Sequence, residues 1–378
     1  MRILLVGEYS RLHNSLKEGL ISLGHEVILV SHGDHFKNYS SDYSIKPIFF
    51  SRFWITKKVR NAFKLFFSFD FEKMERAIRF YFILPKLKGF DHVQLINSDA
   101  LELHPKVSLF FYKKLFVQNK KASLLVCGDE TPVIEYLMKN EMKHSILSPY
   151  LNDSSLKKQY RFSLKYLQPN YKNVFNWLKD NVNSIIVSDM DYKIPMEKMN
   201  YKVNFIPNPI NTQKIQFSEL IMNEKIIIFL GINRLSYDKK GIHFFEEALK
   251  IIEGKYADKV EIIITENIPY QHYISLYNKA HIILDQVYAF DQGYNALEAM
   301  AKGKVVFTGA EQEFEDYYEL NERVAINALP DVNELVNELS YLIDNPQEII
   351  KIGKNARAFI EEEHDYLKIA KKYLEFWK

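Results

Sequence analysis

Cysteine is almost missing: Cys127 is the one thiol in 378 residues. No intrachain disulfide can form, and a reducing compartment is expected. An excess of one charge is missing too. Lysine and arginine number 50 against 48 aspartates and glutamates, so there is no electrostatic case for a nucleic-acid partner. No apolar run approaches the roughly 20 residues of a membrane span. Met1–Val6 is too short for a signal peptide and is expected to be a first strand. These absences predict a soluble cytoplasmic protein, with contact at the inner face of the membrane left open. Zinc-ligand spacing, internal repeats and low-complexity tracts are also missing. The 11 histidines are scattered, as surface or core residues would be.

What is present is apolar runs alternating with helical periodicity over a length that predicts two domains. Arg2–Val6, the polar loop Gly7–Asn14, a helix marked by Leu12, Leu16, Leu20 and Leu23, and the run Glu26–Val30 form a strand–loop–helix–strand opening. The loop is not G-x-G-x-x-G, so it implies no dinucleotide. Its Glu8, Arg11 and His13 stand at the carboxyl end of a strand, where α/β sheets bind ligands. Glu8 and His13 are acceptor-side candidates, with a solvated loop as the alternative. Asp129, after the run Ser123–Cys127, is a helix cap or a third such candidate. Asp189-Met190-Asp191 is a D-x-D pair. It reads better as a helix cap than as a metal–diphosphate site, and no metal is expected. Ser51–Phe69 is basic and aromatic without an acid. From Arg52 to Phe69 it is either a helix pair with a solvated basic face or a peripheral membrane contact.

Tyr201–Asn211 runs into two prolines and is expected to lead to the second domain, which opens with Lys225–Leu230. There the chain turns on His281–Gly309. His281–Asp285 reads as a buried strand, Gln286–Gln292 as a loop, Tyr294–Lys302 as a helix closed by Gly303, and Lys304–Phe307 as a strand. Gly293 and the amides after it, at a helix start beside a strand end, suit an anion. Arg234 and Lys240 follow another strand and are expected on the same sheet edge. Two cations and helix-terminal amides would cradle a diphosphate, and Glu298 could accept hydrogen bonds from both hydroxyls of a ribose.

Leu297-Glu298-Ala299-Met300-Ala301-x-Gly303 after Gly293 resembles the motif of the retaining family-four glycosyltransferases (glycosyl transferases group 1). Leu23-Gly24-His25-Glu26-Val27, Ile206-Pro207-Asn208-Pro209 and Gly231–Gly241 extend the resemblance over most of the chain. It implies an α/β protein of the GT-B fold: two Rossmann-like domains, an interdomain cleft, and a C-terminal helix crossing back to the first domain. The expected boundaries are residues 1–208 for the acceptor domain, 209–362 for the nucleotide-sugar domain and 363–378 for the helix. By the resemblance Arg234 and Lys240 bind donor phosphates and Glu298 holds the ribose. The backbone of Gly293, Tyr294, Asn295 and Ala296 approaches phosphate and sugar, and the base lies near Asn267, Pro269 and Tyr270. The family's usual earlier glutamate is Phe290 here, with Asp291 adjacent as its substitute. The implied reaction moves a hexose-type sugar from a UDP- or GDP-linked donor, as co-substrate and without a cofactor, to a saccharide or lipid-linked saccharide. The run from Leu284-Asp285-Gln286 to Gly309-Ala310-Glu311 is similar to bacterial surface-polysaccharide transferases. A nucleotide-sugar epimerase or hydrolase, or a non-catalytic nucleotide- or glycan-binding protein, are the alternatives.

Overall fold

The structure, a computed structural model, describes residues 1–34, 38–52, 70–221, 225–268 and 270–378. The basic aromatic stretch singled out from Arg52 to Phe69 therefore falls, beyond Arg52, outside the described residues.

Two parallel sheets carry the chain. The first takes β1 (Arg2–Val6), β2 (Glu26–Ser31), β3 (Tyr43–Ser44), β4 (His92–Leu95), β5 (Lys121–Val126), β6 (Ser184–Val187) and β7 (Asn204–Phe205) in the order β3-β2-β1-β4-β5-β6-β7. The second takes β8 (Ile226–Ile232), β9 (Val260–Glu266), β10 (Ile282–Leu284), β11 (Val305–Thr308) and β12 (Ile326–Asn327) in the order β12-β11-β10-β8-β9. Both are doubly wound orders, and this is the two-domain GT-B architecture. The central strands are apolar on both faces because helices cover both: Ile3, Leu4, Leu5 and Val6 are all fully buried. Strand order reverses between β1 and β4 in one sheet and between β8 and β10 in the other. At each reversal the connections leave to opposite faces and open a crevice at the carboxyl ends.

Two chain crossings join the domains, and they are bonded to each other. Ile210 N–H donates to the His364 carbonyl (2.7 Å), and Tyr366 N–H donates to that of Ile210 (3.1 Å). The last helix, Tyr366–Trp377, then returns to the first domain and packs on the helix Leu12–Ser22. Its stripe of Tyr366, Ile369, Ala370, Tyr373 and Trp377 is buried. Trp377 stacks on His92 at 4.5 Å between ring centroids. Burial, and then the Lys121 charge, pushes that imidazole down to about 3, so a neutral ring meets the indole. Trp377→Ala should lower stability by about 3–5 kcal/mol through the cavity it leaves, read as an earlier urea midpoint for the first domain.

Candidate functional site

The crevice of the second sheet is made by the loops after β8 and β10. Parallel pairing sets Leu284 opposite Leu230, and β8 runs on to Ile232, so both strands open toward the same edge. From β8 the chain passes through a 3-10 turn at Arg234–Ser236 and a short helix, Tyr237–Lys240. Gly241 then takes φ +64°, and a Cβ there would lie 2.3 Å from Val287 Cγ2. Only glycine supplies both that turn and that approach. The Val287 amide donates to the Lys240 carbonyl (3.0 Å). Lys240 Nζ donates to Asp285 Oδ1 at 2.7 Å, and Asn295 Nδ2 donates to the same oxygen at 3.0 Å. The Asp285 side chain is 3 % exposed. Lys240, Asn295 and the helix start at Gly293 are thus brought together on one buried carboxylate, whose place just past β10 is readable in the sequence but whose partners are not.

Arg234 stands to one side, toward β9. Its guanidinium forms a bidentate pair with Glu266, Nε to Oε1 at 2.9 Å and Nη2 to Oε2 at 2.6 Å, and lies over the Tyr237 ring. It is 53 % exposed. Asn267, next to Glu266, has φ +52° and donates to that carboxylate at 3.3 Å. Pro269 lies outside the described residues, as does the side chain of Tyr270, whose backbone begins the helix Tyr270–Lys279.

The helix Tyr294–Ala301 starts at Gly293 with no side-chain cap. Ala296 is buried and Asn295 exposed. The Tyr294 hydroxyl crosses into the first domain. It donates to the Pro209 carbonyl at 2.6 Å, which leaves its oxygen to accept from Ser15 at 2.5 Å. Glu298 is half-buried, and its charge acts on Arg11 and Tyr39 of the first domain. Arg11, named only as a loop residue in the sequence, therefore faces the ribose candidate.

Asp291 and Phe290 are placed away from this face. Phe290 is buried against His144 at 5.1 Å between rings. Asp291 Oδ2 accepts from the Met190 amide (3.2 Å), at the start of the helix Met190–Lys198 in the first domain. In return, Asp191 of that helix accepts from the Phe290 amide (3.0 Å) and the Asp291 amide (3.3 Å). Each domain's carboxylate satisfies the other's amides. Asp189 caps its helix by accepting from the Asp191 amide at 2.8 Å. The D-x-D pair is thus a cap and an interdomain clamp. Among the described residues no group of histidine, cysteine, aspartate or glutamate could hold a metal ion. Gly309 completes the clamp: a Cβ there would sit 2.6 Å from the Ala289 carbonyl and the Asp291 amide, so the loop after β11 closes over this backbone.

The acceptor-side candidates separate by burial. His13 is fully buried. Its Nδ1 donates to the Gly7 carbonyl at 2.8 Å, and burial pushes the ring down to about 3, so it is a neutral prop for the loop after β1. Glu8 is fully buried as well, and burial raises its carboxyl to about 8. Its Oε2 accepts from Asn14, while Oε1 meets no partner among the described residues. Asp129 accepts from the Ser163 hydroxyl. Lys239 of the second domain reaches across to both, 2.6 Å from Ser163 Oγ and 3.5 Å from Asp129 Oδ2. Of the two adjacent lysines, Lys240 belongs to the second domain's crevice and Lys239 spans the cleft, a division that spacing alone does not reveal.

Residues 240–375 match a family model described as glycosyl transferase-like. No curated protein sequence matches the chain. Among solved structures it is similar to a sucrose-phosphate synthase from Thermosynechococcus elongatus, with 14 % identity, TM-score 0.61, and 100 % of this chain and 98 % of that one covered. It is similar to HepE of Anabaena, determined with UDP and glucose, with 13 % identity, TM-score 0.59 and coverage of 99 % and 98 %. It is also similar to a UDP-GlcNAc 2-epimerase from Neisseria meningitidis bound to UDP-GlcNAc, with 14 % identity, TM-score 0.50 and 99 % of each chain covered. At such identities the likeness is one of fold.

The clamp titrates. Burial raises the Asp191 carboxyl from 3.8 to about 6 and that of Asp291 from 3.8 to about 7. Folded, both hold protons that the unfolded chain releases, so their contribution is complete below the ordinary value and lost as pH rises through the folded ones. Urea midpoints should fall between about pH 4 and pH 7, and Asp291→Asn should flatten that fall.

Proposed function

We infer that the chain is a glycosyltransferase of the retaining type. It takes a sugar from a nucleoside-diphosphate donor on its second domain and delivers it to a hydroxyl of a glycan or lipid-linked glycan on its first. The reading rests above all on the Lys240–Asp285–Asn295 junction, which sets a cation and a helix start at the crevice where the second sheet reverses. The glycosyl transferase-like match over 240–375 points the same way. HepE, determined with UDP and glucose, shares the fold and supports the same reading.

The chemistry follows from where charge develops. As the bond to the anomeric carbon breaks, the departing diphosphate gains negative charge. Lys240 keeps donors in excess of the one spent on Asp285, and the Gly293 helix start adds unpaired amides. Arg234 must leave Glu266 to join them. That exchange costs little, because water screens an exposed ion pair, and it gives the guanidinium a dianionic partner. Cations placed where charge appears stabilise the transition state more than the ground state. Glu298 accepts from the ribose, and Asn267 lies on the base side. Tyr294, fixed by Pro209 and Ser15, holds the helix start against the first domain. There the Gly7–Arg11 loop, Glu8 and Asp129 border the acceptor. Asp291, engaged with Met190, acts on the sugar only through the backbone it holds. The two cations do the work a metal would do, so no cofactor is used. The setting is cytoplasmic, with cell-surface polysaccharide synthesis as the process and the inner membrane face as the place of a lipid-linked acceptor. Among the described residues no helix is long and apolar enough to cross a membrane.

Arg234→Ala should fold normally and lose about 100-fold or more in kcat. Undiminished turnover in that variant would remove its role. Transfer should continue in excess chelator, and proton NMR of the product should show the donor's anomeric configuration. Incubating UDP- and GDP-sugars without an acceptor separates the alternatives: a free epimer or free sugar would contradict a transferase. Nucleotide binding with no transfer to any acceptor would make the chain a binding protein.

A further inference from the structure

One short helix of the second domain, Tyr237–Lys240, touches both sides of the cleft. Successive residues of a helix point about 100° apart, and its last two lysines use that angle. Lys240 turns to Asp285 and the donor crevice, at 2.7 Å. Lys239 turns the other way, to the first domain. Its Nζ donates to Ser163 Oγ at 2.6 Å, stands 3.5 Å from Asp129 Oδ2, and lies over the Tyr160 ring at 5.6 Å from the centroid.

Lys239, Ser163 and Asp129 are linked in one direction. An ammonium can only donate, so the Ser163 hydroxyl accepts from Lys239 and gives its own hydrogen to Asp129 Oδ2. Each bond polarises the next, and the charges at both ends strengthen the series. Ser163 is fully buried, so its hydroxyl is not shared with water. The backbone of Asp129 is fixed as well, because Asn97 Nδ2 donates to its carbonyl at 2.9 Å.

What the series leaves over points to a ligand. Both contacts fall on Oδ2. Among the described residues Asp129 Oδ1 accepts no hydrogen bond, and the side chain keeps 19 % exposure where the cleft wall meets Lys239. Beside it the Tyr160 hydroxyl is buried and also without a partner among the described residues. A tie made only to hold the domains together would be stronger as a direct ion pair at hydrogen-bond distance. Here the lysine stands behind the carboxylate and acts on it through a serine. Lys239 belongs to one domain and Asp129 to the other, so the series exists only while the cleft is closed.

We propose that Asp129 Oδ1 accepts the hydrogen bond of the acceptor hydroxyl, and that Lys239, acting through Ser163, is the positioning residue that sets this carboxylate when the cleft closes. The hydroxyl subsite is thereby assembled from both domains. Binding moves no proton; it orients the hydroxyl oxygen. Calling the ligand an acceptor rests on the transferase reading, whereas the subsite rests on the Lys239–Ser163–Asp129 series.

The test is saturation-transfer NMR on the whole chain, saturated with whichever of UDP and GDP binds. The probes are methyl α-glucoside, methyl α-galactoside and methyl α-N-acetylglucosaminide. At least one is expected to bind saturably. Lys239→Met and Asp129→Ala should each raise its Kd about tenfold, the worth of one hydrogen bond to a charged group. Lys239→Arg should keep the natural value. The double variant should be no weaker than Asp129→Ala, since a positioning residue then has nothing left to set. Nucleotide affinity should stay unchanged in all four. Thermal melts confirm that the variants fold, and Lys239→Gln replaces Lys239→Met if that variant does not. A solely structural tie would lower the melting temperature of Lys239→Met and leave probe affinity as it was. That result, additive losses in the double variant, or no binding of any probe would overturn the proposal. If neither nucleotide binds the natural chain, the transferase reading fails by itself. The same titration without nucleotide then still reports whether Lys239 and Asp129 act as one on a hydroxyl probe.

Discussion

Taking the Asp285 carboxylate out of water at the end of β10 costs several kcal/mol, a cost that only a paired cation and further hydrogen bonds offset. Lys240 and Asn295 supply them, one from each side of the crevice. The loop after β8 is therefore held at the start of the helix Tyr294–Ala301, and Gly241 must be a glycine for the two to meet. The remaining parts of the proposed donor site depend on this junction. Glu298 lies one turn into a helix whose start it positions. Arg234 reaches the same edge on a loop whose far end it anchors.

The second constraint acts between the domains. Asp191 and Asp291 exchange backbone amides across the interface, and Tyr294 and Lys239 add side-chain ties of their own. The loop after β10 is consequently shaped from both domains at once. A shift of the first domain would pull on the Phe290 and Asp291 amides, three residues or fewer from Gly293. A movement of the first domain would in this way reach the crevice of the second sheet.

Strand and helix periodicity made the doubly wound sheets legible, because buried parallel strands are apolar throughout and the turns between them carry glycine. The helix start at Gly293 and the turn at Gly303 could be read for the same local reasons. What spacing could not give is direction across space. Lys239 and Lys240 are adjacent in the sequence and part ways in the fold. Asp291 is adjacent to the position of the family's glutamate, yet strand direction and packing against Gly309 turn its carboxylate to Met190.

The central claim is that a nucleoside diphosphate sits on the β8 and β10 loops. Hydrogen–deuterium exchange with and without UDP or GDP tests it most directly. The account predicts slowed exchange over 234–241 and 293–297 with one of the two nucleotides and little change in the outer strands of either sheet. Nucleotide binding that protects the first domain's Gly7–Arg11 loop instead, and leaves 293–297 unchanged, would contradict it.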